Sequence, residues 1–388
     1  MPDENEIVED LELWDTEADS DSPADDPFTE EVQGSTSAEI FRPFDPSQIR
    51  VETKPMVISL LLERVQNSEI DLSPGFQRKS GIWSTKAKSR LIESLLIRIP
   101  LPAFYMDGTD ESCWLVVDGL QRLSSLTEFV ISGSLKLRGM EFLSGYDGYT
   151  FQMLPRKLQR RILETQVIVF LIQEHTPPEV KFNIFKRINT GGLPLSTQEI
   201  RHALNQGPAT VLLQELSEDQ DFLGATQGGI PDRRMGDREC ILRFLAFTLT
   251  PPQNFKSYDM DTFLNETMAA LNKMTFESRD QISERFKRSM RINRKLWGDH
   301  AFRKWRQDSL RRGPINRALF EIWSVTLDQL TEAEILMLQE RQALLKEKMI
   351  EAFKDVAFDA SITYGTGDSR KVEYRFSKAK AVVTETLQ

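Results

Sequence analysis

The sequence predicts an α+β domain followed by a helical one. Short apolar or β-branched runs alternate with amphipathic helices as far as about residue 205. The strongest strand signal, Gln166–Gln173 (QVIVFLIQ), falls inside that part. From about Gly207 onward the apolar spacing is helical alone. The change between the two domains is expected between 205 and 235. Placed at 220/221, it gives an acidic stretch 1–40, a first domain 41–220 and a helical domain 221–388.

The elements follow in order. Ordered structure is expected from near Phe41. Met56–Gln66 reads as a helix with Val57, Leu61, Leu62 and Val65 on one face. Thr85–Ile97 reads as another, with Ala87, Leu91 and Leu95 four apart and Pro100 and Pro102 beyond its end. Ala103–Met106 and Trp114–Val117 read as short strands. Asp118-Gly119 turns the chain into a helix over Gln121–Ile131, and Leu135–Arg138 reads as a small strand. Pro155–Glu164 is a basic helix. After the Gln166–Gln173 strand, Thr176-Pro-Pro-Glu179 opens a helix carrying Val180, Ile184 and Ile188. Ser196 and Glu199 form a second capping box, opening Thr197–Leu204. Helices are then expected over Ala209–Leu216, Arg238–Leu249, Asp261–Leu271, Ser278–Leu296, Ile315–Leu327 and Glu332–Ala357.

The net charge of -10 conceals an asymmetry. Residues 1–40 hold 15 of the 59 acidic residues and no Lys or Arg, which leaves 44 acids against 49 bases, a net of +5, in the remainder. So acidic and apolar-poor a stretch is expected to stay disordered, as a solubilising leader or as a nucleic-acid mimic over a basic groove. Cys113 and Cys240 lie far apart in apolar runs and read as buried free thiols. No apolar run reaches the ~18 residues of a membrane span. There is no leader with a positive end and an apolar centre, so a cytoplasmic location is expected.

Three segments carry the chemistry. Phe76-Gln77-Arg78 lies in a Pro/Gly-rich loop closed by Trp83. Asp118-Gly119-Leu120-Gln121-Arg122 lies where a strand hands over to a helix. Arg187–Gly192 (RINTGG) ends a helix. Each sets a guanidinium beside a side-chain amide and a glycine, equipment for a phosphate-bearing ligand. Asp118 can hold Mg²⁺ or a water, Gln121 can orient that water, and Arg122 can neutralise phosphate charge. An ordinary Asp-Gly turn, an anchored surface loop and a glycine C-cap account for the same residues structurally. A basic block from Arg279 to Arg317 holds 13 Lys and Arg against four acids, with Trp297, Phe302 and Trp305 interleaved. Arg288, Arg291, Arg294, Lys295, Arg303 and Lys304 are its candidate nucleic-acid contacts, against the alternative of a solvated helix face. His175, His202 and His300 are isolated, and no HExxH, GxSxG or GxxxxGK[ST] occurs.

In combination, FQR…W, KSRLIESLLIRIPLPAFY, VDGLQRLSSL and FKRINTGGLPLSTQEIRHAL resemble the N-terminal domain of GmrSD-type modification-dependent restriction enzymes. The likeness covers roughly 50–250. It implies a fold related to ParB and sulfiredoxin, with nucleotide binding and hydrolysis in bacterial defence acting with DNA. It assigns Arg78, Asp118, Gly119, Gln121 and Arg122 to a nucleotide pocket and Asn189, Gly191 and Gly192 to a second loop. Leu120 stands where the family's DGQQR has Gln, and the HNH nuclease domain of many relatives is not seen. The expected function is therefore a divalent-cation-dependent NTPase working with a separate nuclease or effector protein. Asp118, Gln121 and Arg122 would be catalytic, with Arg122→Ala and Asp118→Ala abolishing hydrolysis in an intact fold. The alternatives are a DNA-binding module without turnover and a ParB-like nuclease using Asp118 with Glu93.

Overall fold

The computed structural model describes residues 50–72, 83–188, 196–230, 232–255, 259–305 and 313–388. The stretch 1–40, the Phe76-Gln77-Arg78 segment and Asn189, Gly191 and Gly192 lie outside the described residues. Two compact units divide at Leu195/Ser196, upstream of the expected 220/221. The boundary moves because the helices over 197–204 and 208–217 pack against the helix over 236–249, in the second unit.

The first unit is built on a five-stranded mixed sheet. Its strands are β1 (Val51–Val57), β2 (Ile70–Asp71), β3 (Phe104–Gly108), β4 (Trp114–Asp118) and β5 (Gln166–Gln173), in the order β1-β5-β3-β4-β2. β1 runs antiparallel to β5, and β3 antiparallel to β4. β3 with β5 and β2 with β4 are parallel. Phe104, Met106, Val116, Val167, Val169 and Leu171 turn into one core. β5 alternates over most of its length. Ile168 is 38% exposed while Val169 is fully covered, because the core gathers on a single face.

Helices close that core: α1 (Ile58–Gln66), α2 (Thr85–Ile97), α3 (Leu120–Leu126), α4 (Arg156–Leu163) and α5 (Pro178–Ile188). α2 has the expected bounds. Ser84 caps it by accepting from Ala87 N, and Leu91, Ile92, Leu95 and Leu96 pack inward. α3 runs into a π-helical turn, Thr127–Ile131, inside what reads as one continuous helix. Lys88 holds Glu128 of that turn through both carboxylate oxygens at 2.7 Å. Leu135–Arg138 forms no strand. Its Leu137 amide and carbonyl bond Tyr149 and Gly148 in a local loop instead. Cys113 belongs to this unit and is half-buried rather than buried; Cys240 is fully buried, and both are free.

The second unit is helical: α6 (Thr197–Leu204), α7 (Pro208–Ser217), α8 (Gln220–Thr226), α9 (Gly236–Leu249), α10 (Met260–Lys273), α11 (Phe276–Trp297), α12 (Arg317–Asp328), α13 (Glu332–Glu340), α14 (Gln342–Ala352), α15 (Val356–Thr363) and α16 (Ser369–Leu387). The Ser196–Glu199 capping box is present, with both reciprocal bonds made. α9 lies at the centre, with Phe244 and Phe247 fully covered among Phe255, Phe263, Phe286 and Phe376. A chain of buried ions crosses this core. Glu321 accepts from Arg375 at 2.6 and 3.0 Å and from Arg243 at 3.3 Å, and Arg243 also holds Glu239 at 2.9 Å. Burial works to raise the Glu239 carboxyl, but Arg317, Arg243 and Arg201 outweigh it and hold it at about 2.

Candidate functional site

β4 delivers Asp118 to the end of the sheet, opposite Tyr105 of β3. Gly119 then takes φ +96° and starts α3. A Cβ there would lie 2.4 Å from the Phe104 ring, so both conformation and space demand glycine. The Arg122 guanidinium folds back over this turn. Its Nη2 donates to Asp118 Oδ2 at 2.8 Å and to the Ala103 carbonyl at 3.2 Å, and its Nη1 donates to the Pro102 carbonyl. The guanidinium carbon sits 4.7 Å from the Phe104 ring centroid. Arg122 thus ties the entry of β3 to the exit of β4.

The Arg122 guanidinium is thus engaged within the protein. Its side chain is 11% exposed and its donors serve the protein's own carbonyls and carboxylate. Asp118 is the more open partner, 27% exposed. Burial pushes its carboxyl above the ordinary range, only partly countered by Arg122. Burial likewise draws Arg122 down, against the pull of Asp118. Gln121 follows the turn with its Oε1 buried and without a hydrogen-bond partner among the described residues. An acceptor so placed is ready for a donor from a ligand or a water.

The other expected residues distribute differently. β2 runs parallel to β4, with Asp71 opposite Leu115. Arg78, Asn189, Gly191 and Gly192 lie outside the described residues. Gln198, Glu199 and Arg201 are buried in the helical unit, where Arg201 holds Asp261 at 3.0 Å. Glu93, the second acid of the nuclease alternative, is 3% exposed and accepts three backbone amides at Glu141, Phe142 and Leu143. Among the described residues no three His, Cys, Asp or Glu gather to hold a metal ion. With Oδ2 taken by Arg122, Asp118 alone does not make a resident Mg²⁺ site.

Several cations of the basic block are engaged by the protein's own acids and carbonyls, while Arg291, Arg294 and Lys295 stay exposed. Arg288 bonds Glu332 and the carbonyls of Asp328 and Leu330. Arg291 pairs with Asp221, Lys304 with Asp359, and Arg303 donates to the carbonyls of Gly313 and Thr226. Trp297 and Phe302 are 4% and 1% exposed, so these two interleaved aromatics are core rather than a stacking platform.

Sequence reasoning missed one polar cluster in the sheet unit. Lys181 of α5 reaches both oxygens of Asp107 at 3.2 Å and also bonds Thr109. Asp107 and Lys181 are 9% and 7% exposed. Asp107-Gly108 reads in sequence as one more surface turn. A lysine at an inward position of α5 was the available signal.

Residues 60–205 match a family model described as the GmrSD restriction endonuclease N-terminal domain. This segment is similar to that family's domain. The matched GmrSD N-terminal segment contains β4, the Asp118 turn and α3, and it runs on through α6. The helices after residue 205 lie beyond it. Comparison with curated proteins and with solved structures finds no match. No helix among the described residues is long and apolar enough to cross a membrane.

Proposed function

We propose that the GmrSD N-terminal domain of this chain binds and hydrolyses a nucleoside triphosphate at the Asp118 turn, in a restriction-like defence system that acts on DNA with a separate nuclease or effector. The observation that carries the reading is Asp118 itself. It is a partly open carboxylate with an upward-shifted pKa, braced by Arg122 at the end of β4. The family match supports the restriction setting. In hydrolysis a water attacks the terminal phosphorus and the bond to the bridging oxygen breaks, releasing phosphate and the diphosphate. Asp118 accepts the water's proton, and Gln121 Oε1 accepts its second hydrogen and fixes its aim. Arg122 acts as a positioning residue that keeps Asp118 in place. A divalent cation bound to the nucleotide would neutralise its phosphates.

The test is phosphate release from the full chain with Mg²⁺ and each of ATP, GTP, CTP and UTP, with and without DNA, beside nucleotide binding. Asp118→Asn is expected to lower release by ~100-fold or more while binding persists. Failure of the wild-type chain to bind or turn over any nucleotide overturns the reading.

A further inference from the structure

The sheet unit presents a phenylalanine to solvent on a backbone fixed from beneath. Phe142 is 71% exposed. Six consecutive amides around it each have a side-chain acceptor. Ser89 Oγ takes Arg138 N at 2.9 Å. Asp147 takes Gly139 N and Met140 N at 3.1 and 3.2 Å. Glu93 takes Glu141 N, Phe142 N and Leu143 N at 2.9, 2.7 and 2.7 Å. Below them Leu135 and Leu137 are 5% and 0% exposed. Burying the Glu93 carboxylate is costly without such bonds. The fold has therefore invested a charged group in holding this turn, and an apolar side chain held so firmly loses little freedom when it meets a partner.

Cations lie on the same turn and on the adjoining helix. Lys136 and Arg138 alternate with the two buried leucines and are exposed. α2 runs alongside, with the Lys86 stem 3.3 Å from where a Cβ on Gly139 would lie. Arg90 comes within 3.9 Å of Glu141. Three acids share the neighbourhood, and their charge is engaged. Glu93 and Asp147 hold backbone amides, and Glu141 faces Arg90. An exposed aromatic on a turn that carries Lys136 and Arg138, beside a helix that carries Lys86 and Arg90, suits a polyanion with an apolar interior better than an apolar protein face.

We propose that the 136–143 turn and the adjoining edge of α2 contact duplex DNA, with Phe142 wedged at a base step and the four cations on the flanking phosphates. The proposal rests on the reading that the chain acts on DNA. It is independent of nucleotide turnover.

The experiment is binding of the full chain to a short mixed-sequence duplex carrying 2-aminopurine, followed by anisotropy and fluorescence across a salt series. Wild type is expected to bind at low salt with a rise in 2-aminopurine fluorescence. Lys136→Glu with Arg138→Glu should weaken binding by at least ~10-fold and flatten the log–log salt slope by about 2. Phe142→Ala should weaken binding ~5-fold or more, keep the slope, and lose the fluorescence rise. All are surface changes, so thermal midpoints should hold. Duplex binding by wild type with variants indistinguishable from it overturns the surface while leaving DNA action intact. No duplex binding by wild type overturns both. Phosphate release in the same preparation reports separately on the Asp118 turn.

Discussion

At Gly119 one added methyl group tests the whole turn. Its φ of +96° costs an L-residue roughly 1–2 kcal/mol, and the Phe104 ring adds overlap. Gly119→Ala is expected to lower stability by about 2 kcal/mol or more, read as a drop in the urea midpoint. Arg122 is the second sensitive residue. Its loss strands a largely buried carboxylate and two carbonyls, so Arg122→Ala should destabilise the sheet unit by about 2–3 kcal/mol. A lowered melting midpoint is therefore expected in that variant beside any loss of hydrolysis. Asp118→Asn keeps the side chain's shape and an acceptor oxygen, and should melt close to wild type. A melting curve for each variant separates the two roles.

Among the elements, the buried carboxylate under the 138–143 turn makes a sharp case. In Glu93→Gln one acceptor oxygen becomes an NH₂ that faces a backbone N–H. About 1–3 kcal/mol of stability should be lost although nearly all of the volume is kept. Thermal denaturation checks this, and an unchanged midpoint would contradict it. The same scale shows what could be read in advance. α2, β5 and α6 have their expected bounds because apolar period, caps and breakers agree there. β1 was missed, with Val57 assigned to the helix behind it. Pro55 breaks its run, and only an edge position, opposite Ile168 of β5, makes that proline acceptable. α16 was missed because its charged residues hide the spacing of Val372, Phe376, Ala379 and Val383. The expected helix over 332–357 divides at Arg341 and again after Ala352, where neither glycine nor proline marks the break. The Asp118 turn was legible as a motif. That Arg122 spends its donors on Pro102 and Ala103 was not, since that contact spans twenty residues of chain.

Over the whole molecule the helical unit carries the acid sensitivity. Burial and the nearby Arg238 hold His202 down at about 4 in the folded state, against 6.5 unfolded. Between those values the unfolded chain binds the extra proton, so stability falls as pH drops from 6.5 to 4, by up to about 3 kcal/mol. Glu239, held at about 2, acts in the next window. Its contribution is present above the ordinary carboxyl range and is lost as pH falls through about 2. Urea midpoints taken across pH 7 to 4 should decline for wild type, and His202→Gln should flatten that decline. The cysteines are distributed one to each unit. Cys113 stands half-open beside β4, while Cys240 is enclosed in α9 with its thiol pushed up to about 12 by burial. A thiol reagent will therefore label the chain in two phases. The slow one is the opening rate of the helical unit, a clock that needs no introduced probe.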